Sequence, residues 1–249
     1  MTDGELLDLL GDAAAAVRAA LDTVEDWGPS HRKPGQYAFD LVADEAALGV
    51  LNKAPELGIL SEETGLHRPD AEMWIALDPV DGSTNASRRI PWYATSMCVV
   101  DSDGPRVALV VNQATGDRFE AVRGQGATWN GAPIRPRETS RLVDAIVGVT
   151  WCPSAPLGVR QLRALGAAAL DISAVAWGGL DAYIDFSGSA HSPWDYLAAV
   201  LVCWEAGACA TEATGRDLAT REPYQRRTVV AAATQALLDE AVALRTSGR

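Results

Sequence analysis

The stretch "LDPVDGSTN", residues 77–85, decides how this sequence is interpreted. It continues the apolar run "EMWIAL" at 72–77, which predicts a short buried strand. Its two aspartates, proline, glycine, serine, threonine and asparagine are typical of a surface turn. The same residues suit a loop that binds a cation through carboxylates and a phosphate through backbone amides. The stretch alone leaves both interpretations open.

Length, composition and charge limit the class of protein. A chain of 249 residues, 48% of them hydrophobic, can form one large domain or two closely joined halves with a sizeable core. The formal net charge of -12 argues against binding to nucleic acid or anionic membranes, which requires a basic face, and it permits metal cations. The four cysteines form no C-x-x-C pair, so we expect reduced core thiols. The acidic start and the absence of a membrane-length apolar run predict a cytoplasmic protein.

Hydrophobic periodicity predicts a mixed order of helices and strands, that is, a layered α/β (α+β) fold. The first half, residues 1–140, contains helices at 5–26 and about 40–52, and a β-meander with strands at 95–101 and 106–112 that continues through 134. The second half, residues 141–249, contains a strand at 145–150, a short helix at 157–166, a strand within 167–186, a helix within 192–207, a strand at 228–233 and a helix at 234–245. We expect the halves to form one compact unit.

Three acidic clusters stand at the boundaries of the predicted elements. Glu62 and Glu63 follow the apolar "LGIL", Asp78 and Asp81 follow the predicted strand, and Asp195 lies near the start of a predicted buried helix. Each cluster has an ordinary explanation: a solvated loop, a turn, and a charge that stabilises a helix N-terminus. However, carboxylates at the ends of core strands lie near low-dielectric surroundings, where an unpaired anion is costly. Hard divalent cations bound by these carboxylates would offset that free-energy cost.

Four segments in the same order resemble the inositol monophosphatase family, which belongs to the lithium-sensitive, Mg²⁺-dependent phosphatases that include the fructose bisphosphatases. "DPVDGSTN" is similar to the D-P-[IV]-D-G-[TS]-x-N signature, and "LSEETG" (60–65) to the Glu-Glu segment. "GQGATWNGAPI" (124–134) resembles the family's G-x-G-A-x-x-N-G hairpin, and "SPWDYLAAVLVCWEAGA" (192–208) its second W-D signature. The resemblance covers residues 60 to 210 and implies an αβαβα sandwich.

The resemblance also implies residue roles in Mg²⁺-dependent hydrolysis of a small phosphorylated metabolite. One Mg²⁺ is expected on Glu62, Asp78 and the Val80 carbonyl, and a second on Asp78, Asp81 and Asp195. Glu63 is expected beside this site or on a third ion. Asp40 and Ser83 would activate the attacking water, as the catalytic residues together with Glu62, Asp78 and Asp81. The expected substrate-binding residues are Asp81, Gly82, Ser83, Gly166, Ala168, Asp185 and Asp195.

Several positions depart from the family pattern and leave the substrate open. Ala86 stands where the family carries an aromatic residue, Lys33 is a weak counterpart of an upstream lysine, and residues 186–194 form a longer connection than the family's. Inositol monophosphate is the leading substrate; histidinol phosphate, fructose 1,6-bisphosphate and 3'-phosphoadenosine 5'-phosphate are alternatives, and a non-catalytic binding protein is a remote one. The family suggests a homodimer. Trp92 and Trp177 lie near predicted site segments, and the three histidines, in no nucleophile motif, are expected at the surface or rim.

Overall fold

The computed structural model describes residues 1–33, 35–153, 156–222 and 224–247. Its helices are α1 (Asp3–Leu21), α2 (Ala38–Leu51), α3 (Ser83–Ser87), α4 (Ala168–Ala176), α5 (Pro193–Ala206) and α6 (Gln235–Ser247). The first sheet contains β1 (Gly58–Ser61), β2 (Gly65–His67), β3 (Trp74–Asp81), β4 (Ala94–Asp101), β5 (Gly104–Asn112), β6 (Arg118–Val122), β7 (Gly126–Trp129) and β8 (Ala132–Pro133). The second contains β9 (Ile146–Thr150), β10 (Gln161–Arg163), β11 (Ala182–Asp185), β12 (Cys209–Glu212) and β13 (Val229–Ala232).

The elements stack in five layers, which confirms the predicted αβαβα sandwich. Helices α1 and α2 cover one face of the first sheet, α4 and α5 lie between the two sheets, and α6 covers the outer face of the second. Alternate residues of β3 therefore reach different cores: Ile75 and Leu77 pack toward α1 and α2, and Trp74 and Ala76 toward α5. Burial on both faces explains the continuous apolar run at residues 74–77 of this strand.

The order of strands brings β1 and β3 together in the first sheet, β2-β1-β3-β4-β5-β6-β7-β8. β1 and β3 are parallel, whereas β3 to β8 form the antiparallel meander predicted from the sequence. The second sheet has the order β10-β9-β11-β13-β12. Within the described residues, no helix is long and apolar enough to cross a membrane.

One predicted element is wrong. Residues 157–166 form no helix; they contain the exposed strand β10, which pairs in parallel with β9 at the edge of the second sheet. Just before this strand, the apolar residues Leu157 and Val159 are partly buried while Gly158 and Arg160 are exposed, and the strand itself is fully exposed, so the region has no buried face with the period of a helix. The helix of this region is α4, formed by the small residues after Gly166.

The capping signals of α5 are confirmed. Ser192 is the N-cap, Pro193 occupies the first turn, and Gly207 ends the helix with a positive φ of 92°. Cys98 and Cys203 are buried free thiols as expected, whereas Cys152 is exposed.

Candidate metal and phosphate site

The parallel pairing of β1 with β3 places Glu62 beside Asp78. Ser61 is in register with Leu77, and the Glu62 amide continues the pairing by donating to the Leu77 carbonyl at 3.1 Å. Both carboxylates therefore lie at the same end of the sheet, Glu62 directly after β1 and Asp78 within β3, where the pairing with β4 becomes irregular between Asp78 and Asp81. Two acidic segments that are 16 residues apart in sequence become neighbours through strand register.

Asp195 reaches the same edge from α5. Ser96 on β4 is the register partner of Asp78, and its hydroxyl donates to the Trp194 carbonyl at 3.0 Å, so the first turn of α5 is fixed beside Asp78. Asp195 itself completes a capping box with Ser192, whose amide donates to Asp195 Oδ2 at 2.8 Å. One carboxylate oxygen from each of Glu62, Asp78 and Asp195 lies within 4.8 Å of the others.

The cluster concentrates negative charge, and the imidazole of His191 lies beside Asp195. No lysine or arginine of the described ranges forms an ion pair with Glu62, Asp78 or Asp195. Removal from water, with Glu62 and Asp81 nearby, raises the pKa of Asp78 well above its usual range. Glu62 is exposed as a whole residue, yet its carboxyl group faces the protein, and desolvation together with Asp195 raises its pKa too. Closely spaced, uncompensated carboxylate oxygens of this kind fit a hard divalent cation.

The irregular end of β3 and the turn that follows it, residues 78–83, are held by their own side chains. Asp78 Oδ1 accepts a hydrogen bond from the Val80 amide at 3.0 Å, and the Ser83 hydroxyl donates to the Val80 carbonyl at 2.7 Å. Gly82 begins the short helix α3 with a φ of 87°, and a Cβ there would lie 2.9 Å from the Cβ of Ala167. Both the positive φ and this close approach require glycine at position 82.

Asp81 lies at the same turn and faces the second half of the chain. Its Oδ2 accepts a hydrogen bond from the Ala169 amide at 2.6 Å. Burial and the charge of Asp195 raise the pKa of Asp81 to about 8, against the opposing effect of that amide. Among the described residues, Asp81 is not a member of the tight three-carboxylate group, so its assignment to a second ion stays a prediction.

Asp40 and Ser83 both line the cavity next to the cluster, which has a volume of about 250 Å³. Asp40 is 3% exposed, and its Oδ2 accepts from the Tyr37 amide at 2.8 Å. Its Oδ1 has no hydrogen-bond partner, because the Ser83 hydroxyl donates to Val80 instead. Burial raises the pKa of Asp40 to about 7, opposed by the Tyr37 amide and the nearby Ser83 side chain. The carboxylate oxygen without a partner can accept a proton near neutral pH.

Glu63 also lines this cavity. Its carboxylate accepts a hydrogen bond from the Gln36 side chain, and its carbonyl accepts one from Lys33 Nζ at 2.9 Å. Burial raises the pKa of Glu63, while Gln36 and Lys33 oppose that rise. Lys33, a weak candidate from the sequence, is therefore at the cavity with its positive charge beside the acidic segment.

The expected substrate-facing residues fall into two groups. Gly166 and Ala168 lie next to the Asp81–Gly82 turn, at the start of α4, and the Gly166 carbonyl approaches Gly82 closely. Asp185, by contrast, has no exposed surface; its Oδ1 accepts from the Ser187 amide at 2.7 Å. Ser187, in the connection 186–194, thus holds the Asp185 carboxylate, which offers no exposed surface to a substrate in this structure.

Three neighbouring side chains were not among the residues predicted from the sequence. His191 is largely buried rather than at the surface; its Nδ1 lies 3.4 Å from Asp195 Oδ2, and its Nε2 lies 2.8 Å from the Tyr183 hydroxyl. Asp171 on α4 is fully buried and accepts a hydrogen bond from Trp92. His191 stands four residues before Asp195, a proximity that was a usable signal; Tyr183 and Asp171 lie inside apolar segments that gave none.

Trp177, singled out with Trp92, lies away from this edge. It stacks on Trp129, with ring centroids 5.1 Å apart, and packs against the central core. Trp92 is the one of the two whose backbone lies beside the turn at residues 78–83, which we call the metal-binding turn after its expected role.

Comparisons with known proteins agree with this geometry. The sequence profile described as the Inositol monophosphatase family matches residues 36–247. A fructose-1,6-bisphosphatase/inositol-1-monophosphatase from Archaeoglobus fulgidus is 31% identical over 245 residues, covering 93% of this chain and 95% of the relative. A Nus factor SuhB from Xylella fastidiosa is 32% identical over 207 residues, covering 73% and 70%.

A solved structure of inositol monophosphatase from Anabaena (Nostoc) superposes with a TM-score of 0.82 at 26% identity, covering 99% of this chain and 97% of that one. The family profile spans most of the chain, and the acidic segments that carry the resemblance lie inside it. The chain belongs to the inositol monophosphatase family, and its fold is that of the family's phosphatases.

Proposed function

We propose that this protein is a Mg²⁺-dependent phosphomonoesterase that acts on a small phosphorylated metabolite, with inositol monophosphate as the leading substrate. The observation that carries the proposal is the group of Glu62, Asp78 and Asp195 oxygens within 4.8 Å of one another. Two or three Mg²⁺ ions are expected there, with Asp81, the Val80 carbonyl and Glu63 as further ligands. When bound, Mg²⁺ would supply Lewis-acid activation of water and charge stabilisation at the phosphate.

The chain's own groups would manage the proton and orient the phosphate. Rotation of the Ser83 hydroxyl from the Val80 carbonyl toward Asp40 Oδ1 would let Asp40 accept, through Ser83, the proton of the attacking water. The pKa of Asp40, about 7, suits a base that works near neutral pH. The amides of Gly82 and Ser83, at the start of α3, would donate to phosphate oxygens.

The alcohol part of the proposed substrate is inferred from the name of a relative and from the size of the cavity. A relative from Archaeoglobus fulgidus carries both fructose-1,6-bisphosphatase and inositol-1-monophosphatase in its name, so fructose 1,6-bisphosphate is the principal alternative substrate. Histidinol phosphate and 3'-phosphoadenosine 5'-phosphate remain alternatives with the same chemistry. The cavity of about 250 Å³ supports a small metabolite rather than a polymer.

We further propose a cytoplasmic homodimer that binds neither nucleic acid nor membrane. The net charge of -12 supports the absence of direct contact with anionic polymers. A relative named Nus factor SuhB raises the alternative of a protein whose role is binding rather than catalysis. Sedimentation of the purified protein, alone and with RNA, tests the dimer and that alternative together.

The deciding experiment measures phosphate release from the four candidate substrates and from an aryl phosphate, with and without Mg²⁺. We expect Mg²⁺-dependent release, fastest with inositol 1-phosphate. Asp81→Asn should abolish release, while Asp12→Asn, at an exposed position on α1, should not. If inositol 1-phosphate is turned over no faster than the aryl phosphate, the leading substrate is wrong. If the wild type hydrolyses none of them, the non-catalytic alternative is favoured.

A further inference from the structure

A buried hydrogen bond joins Trp92 to Asp171 beside the metal-binding turn. The Trp92 indole Nε1 donates to Asp171 Oδ1 at 2.7 Å. Trp92 precedes β4 in the first half of the chain, and Asp171 lies in the first turn of α4 in the second half. The bond therefore connects the segment just before β4 with α4, the helix that begins at Ala168, one of the expected substrate-binding residues.

Two other hydrogen bonds join the residues around this turn to α4 or to the segment just before it, and a third holds Asn85 to Trp92. The Asn85 side-chain amide donates to the Trp92 carbonyl at 2.8 Å and to the Leu165 carbonyl at 2.7 Å. The Ala169 amide donates to Asp81 Oδ2 at 2.6 Å. The Trp92 carbonyl also lies 3.2 Å from where a Cβ on Gly82 would stand, so the backbone around Trp92 encloses Gly82 on one side.

Asp171 is a costly residue to bury for structural reasons alone. It has no exposed surface, its Oδ2 has no hydrogen-bond partner, and no arginine or lysine of the described residues pairs with it. An incompletely paired buried carboxyl group destabilises a fold relative to an apolar side chain of similar volume. A structural role is therefore a poor explanation for a carboxyl group in this first turn, which is otherwise made of alanine and leucine.

We propose that Trp92 and Asp171 are positioning residues for the metal site. Their hydrogen bond fixes the first turn of α4 against the metal-binding turn, so that the Ala169 amide holds the Asp81 carboxylate in the orientation that receives Mg²⁺. Any effect of these residues on activity rests on the proposed function. The expected effect on Mg²⁺ binding does not depend on hydrolysis. Outer hydrogen bonds of this kind contribute about 10–100-fold to metal affinity.

The test compares two tryptophan substitutions that each remove an indole donor. Trp92→Phe removes the bond to Asp171. Trp129→Phe is the matched control, because Trp129 is also partly buried and donates through Nε1 to a carboxylate, Asp117 Oδ1, at 3.1 Å. Mg²⁺ affinity is measured by isothermal titration calorimetry, and circular dichroism verifies folding. We expect Trp92→Phe to weaken Mg²⁺ binding about 10–100-fold and Trp129→Phe to change it less than twofold.

Substitution of Asp171 separates positioning from packing. Asp171→Asn keeps an oxygen that can accept the indole hydrogen and should bind Mg²⁺ within about threefold of the wild type, whereas Asp171→Leu should weaken it as Trp92→Phe does. The double variant Trp92→Phe/Asp171→Leu should bind no more weakly than either single variant, since all remove one interaction. If Trp92→Phe does not fold, the Asn and Leu variants decide the question.

Two results would overturn the inference. One is Mg²⁺ affinity in Trp92→Phe and Asp171→Leu equal to that of the wild type. The other is an equal loss in Trp92→Phe and Trp129→Phe, which would indicate a general packing effect. A wild type that binds Mg²⁺ but hydrolyses no phosphomonoester would refute the proposed function and leave this comparison intact.

Discussion

The Ser96 hydroxyl donates to the Trp194 carbonyl at 3.0 Å and so fixes the start of α5 beside Asp78, the register partner of Ser96. This bond crosses from the first sheet to the central helical layer. It explains how Asp195, 117 residues after Asp78, comes to share a site with it. The group of three carboxylates therefore depends on the docking of α5 as well as on the pairing of β1 with β3.

Mg²⁺ should stabilise the folded protein, because it would neutralise clustered carboxylates with which no lysine or arginine of the described residues pairs. At a Mg²⁺ concentration 100 times the Kd, binding contributes about 2.7 kcal/mol, which corresponds to a rise in Tm of roughly 5–11 °C for a chain of this size. Asp78→Asn should remove the rise, and Asp70→Asn, at an exposed position before β3, should keep it. Differential scanning calorimetry with and without Mg²⁺ measures both; an unchanged wild-type Tm would contradict the site.

Loss of the Ser83 hydroxyl should lower kcat without weakening Mg²⁺ binding. Ser83→Ala removes the group that links water to Asp40, for which we expect a loss of about 10²–10⁴-fold. Ser83→Thr keeps a hydroxyl and should retain most activity. Ser87→Ala, on the same short helix, removes a hydroxyl that donates to the Thr84 carbonyl and should have little effect. Steady-state phosphate release gives kcat; equal losses in the two alanine variants would refute the role of Ser83.

Glu62 and Glu63 should differ in their effect on metal binding. Glu62 belongs to the three-carboxylate group, so Glu62→Gln should abolish hydrolysis at any practical Mg²⁺ concentration. Glu63 instead accepts a hydrogen bond from Gln36, so Glu63→Gln should weaken Mg²⁺ affinity about 10–100-fold and leave activity at saturating Mg²⁺. Activity as a function of Mg²⁺ concentration measures both effects, and the reverse ranking would exchange the two assignments.

Lithium should inhibit the reaction in the millimolar range or below. Li⁺ is a small hard cation that can occupy oxygen ligands meant for Mg²⁺ without supplying the same charge. We expect inhibition at the site formed by Asp78, Asp81 and Asp195, while K⁺ at the same ionic strength has no effect. Activity that is indifferent to high lithium would count against the assignment of a second ion to these residues.

Asp171 should make stability depend on pH in metal-free protein. Burial raises its pKa to about 7, above the usual value of 3.8, opposed by Trp92, the Gly166 amide and His191. The folded state thus binds the Asp171 proton more tightly than the unfolded state does. The resulting contribution to the unfolding free energy is complete below pH 3.8 and is lost as pH rises through about 7. Between pH 5 and 8 the loss is roughly 2–3 kcal/mol.

Asp171→Asn isolates this contribution. Relative to the wild type, the variant should gain roughly 2–3 kcal/mol of unfolding free energy between pH 5 and 8. Urea unfolding of both proteins without metal measures the difference at each pH. A difference that stays constant across this range would show that Asp171 keeps the same protonation state on unfolding.

Much of the fold and the site could be predicted from the sequence because the signals are local. The apolar run at 72–77 indicated a short buried strand, which is the first part of β3, and Ser192, Pro193 and Gly207 marked the ends of α5. The helix predicted at 157–166 failed because the region contains a short edge strand whose three residues are all exposed, so burial imposes no helical period on it. There the pairing with β9, which no local pattern encodes, determined the structure.

The sequence by itself indicated which acidic residues are candidates for the site, because they stand near strand ends and a helix start, with glycine at position 82, where the turn requires it. Only the tertiary structure decided which carboxylates meet. Strand register joined Glu62 to Asp78, and the docking of α5 added Asp195. It also buried Asp185 and paired Trp92 with Asp171. These relationships are contacts between residues distant in sequence, fixed by packing between layers rather than by the local preferences of the chain.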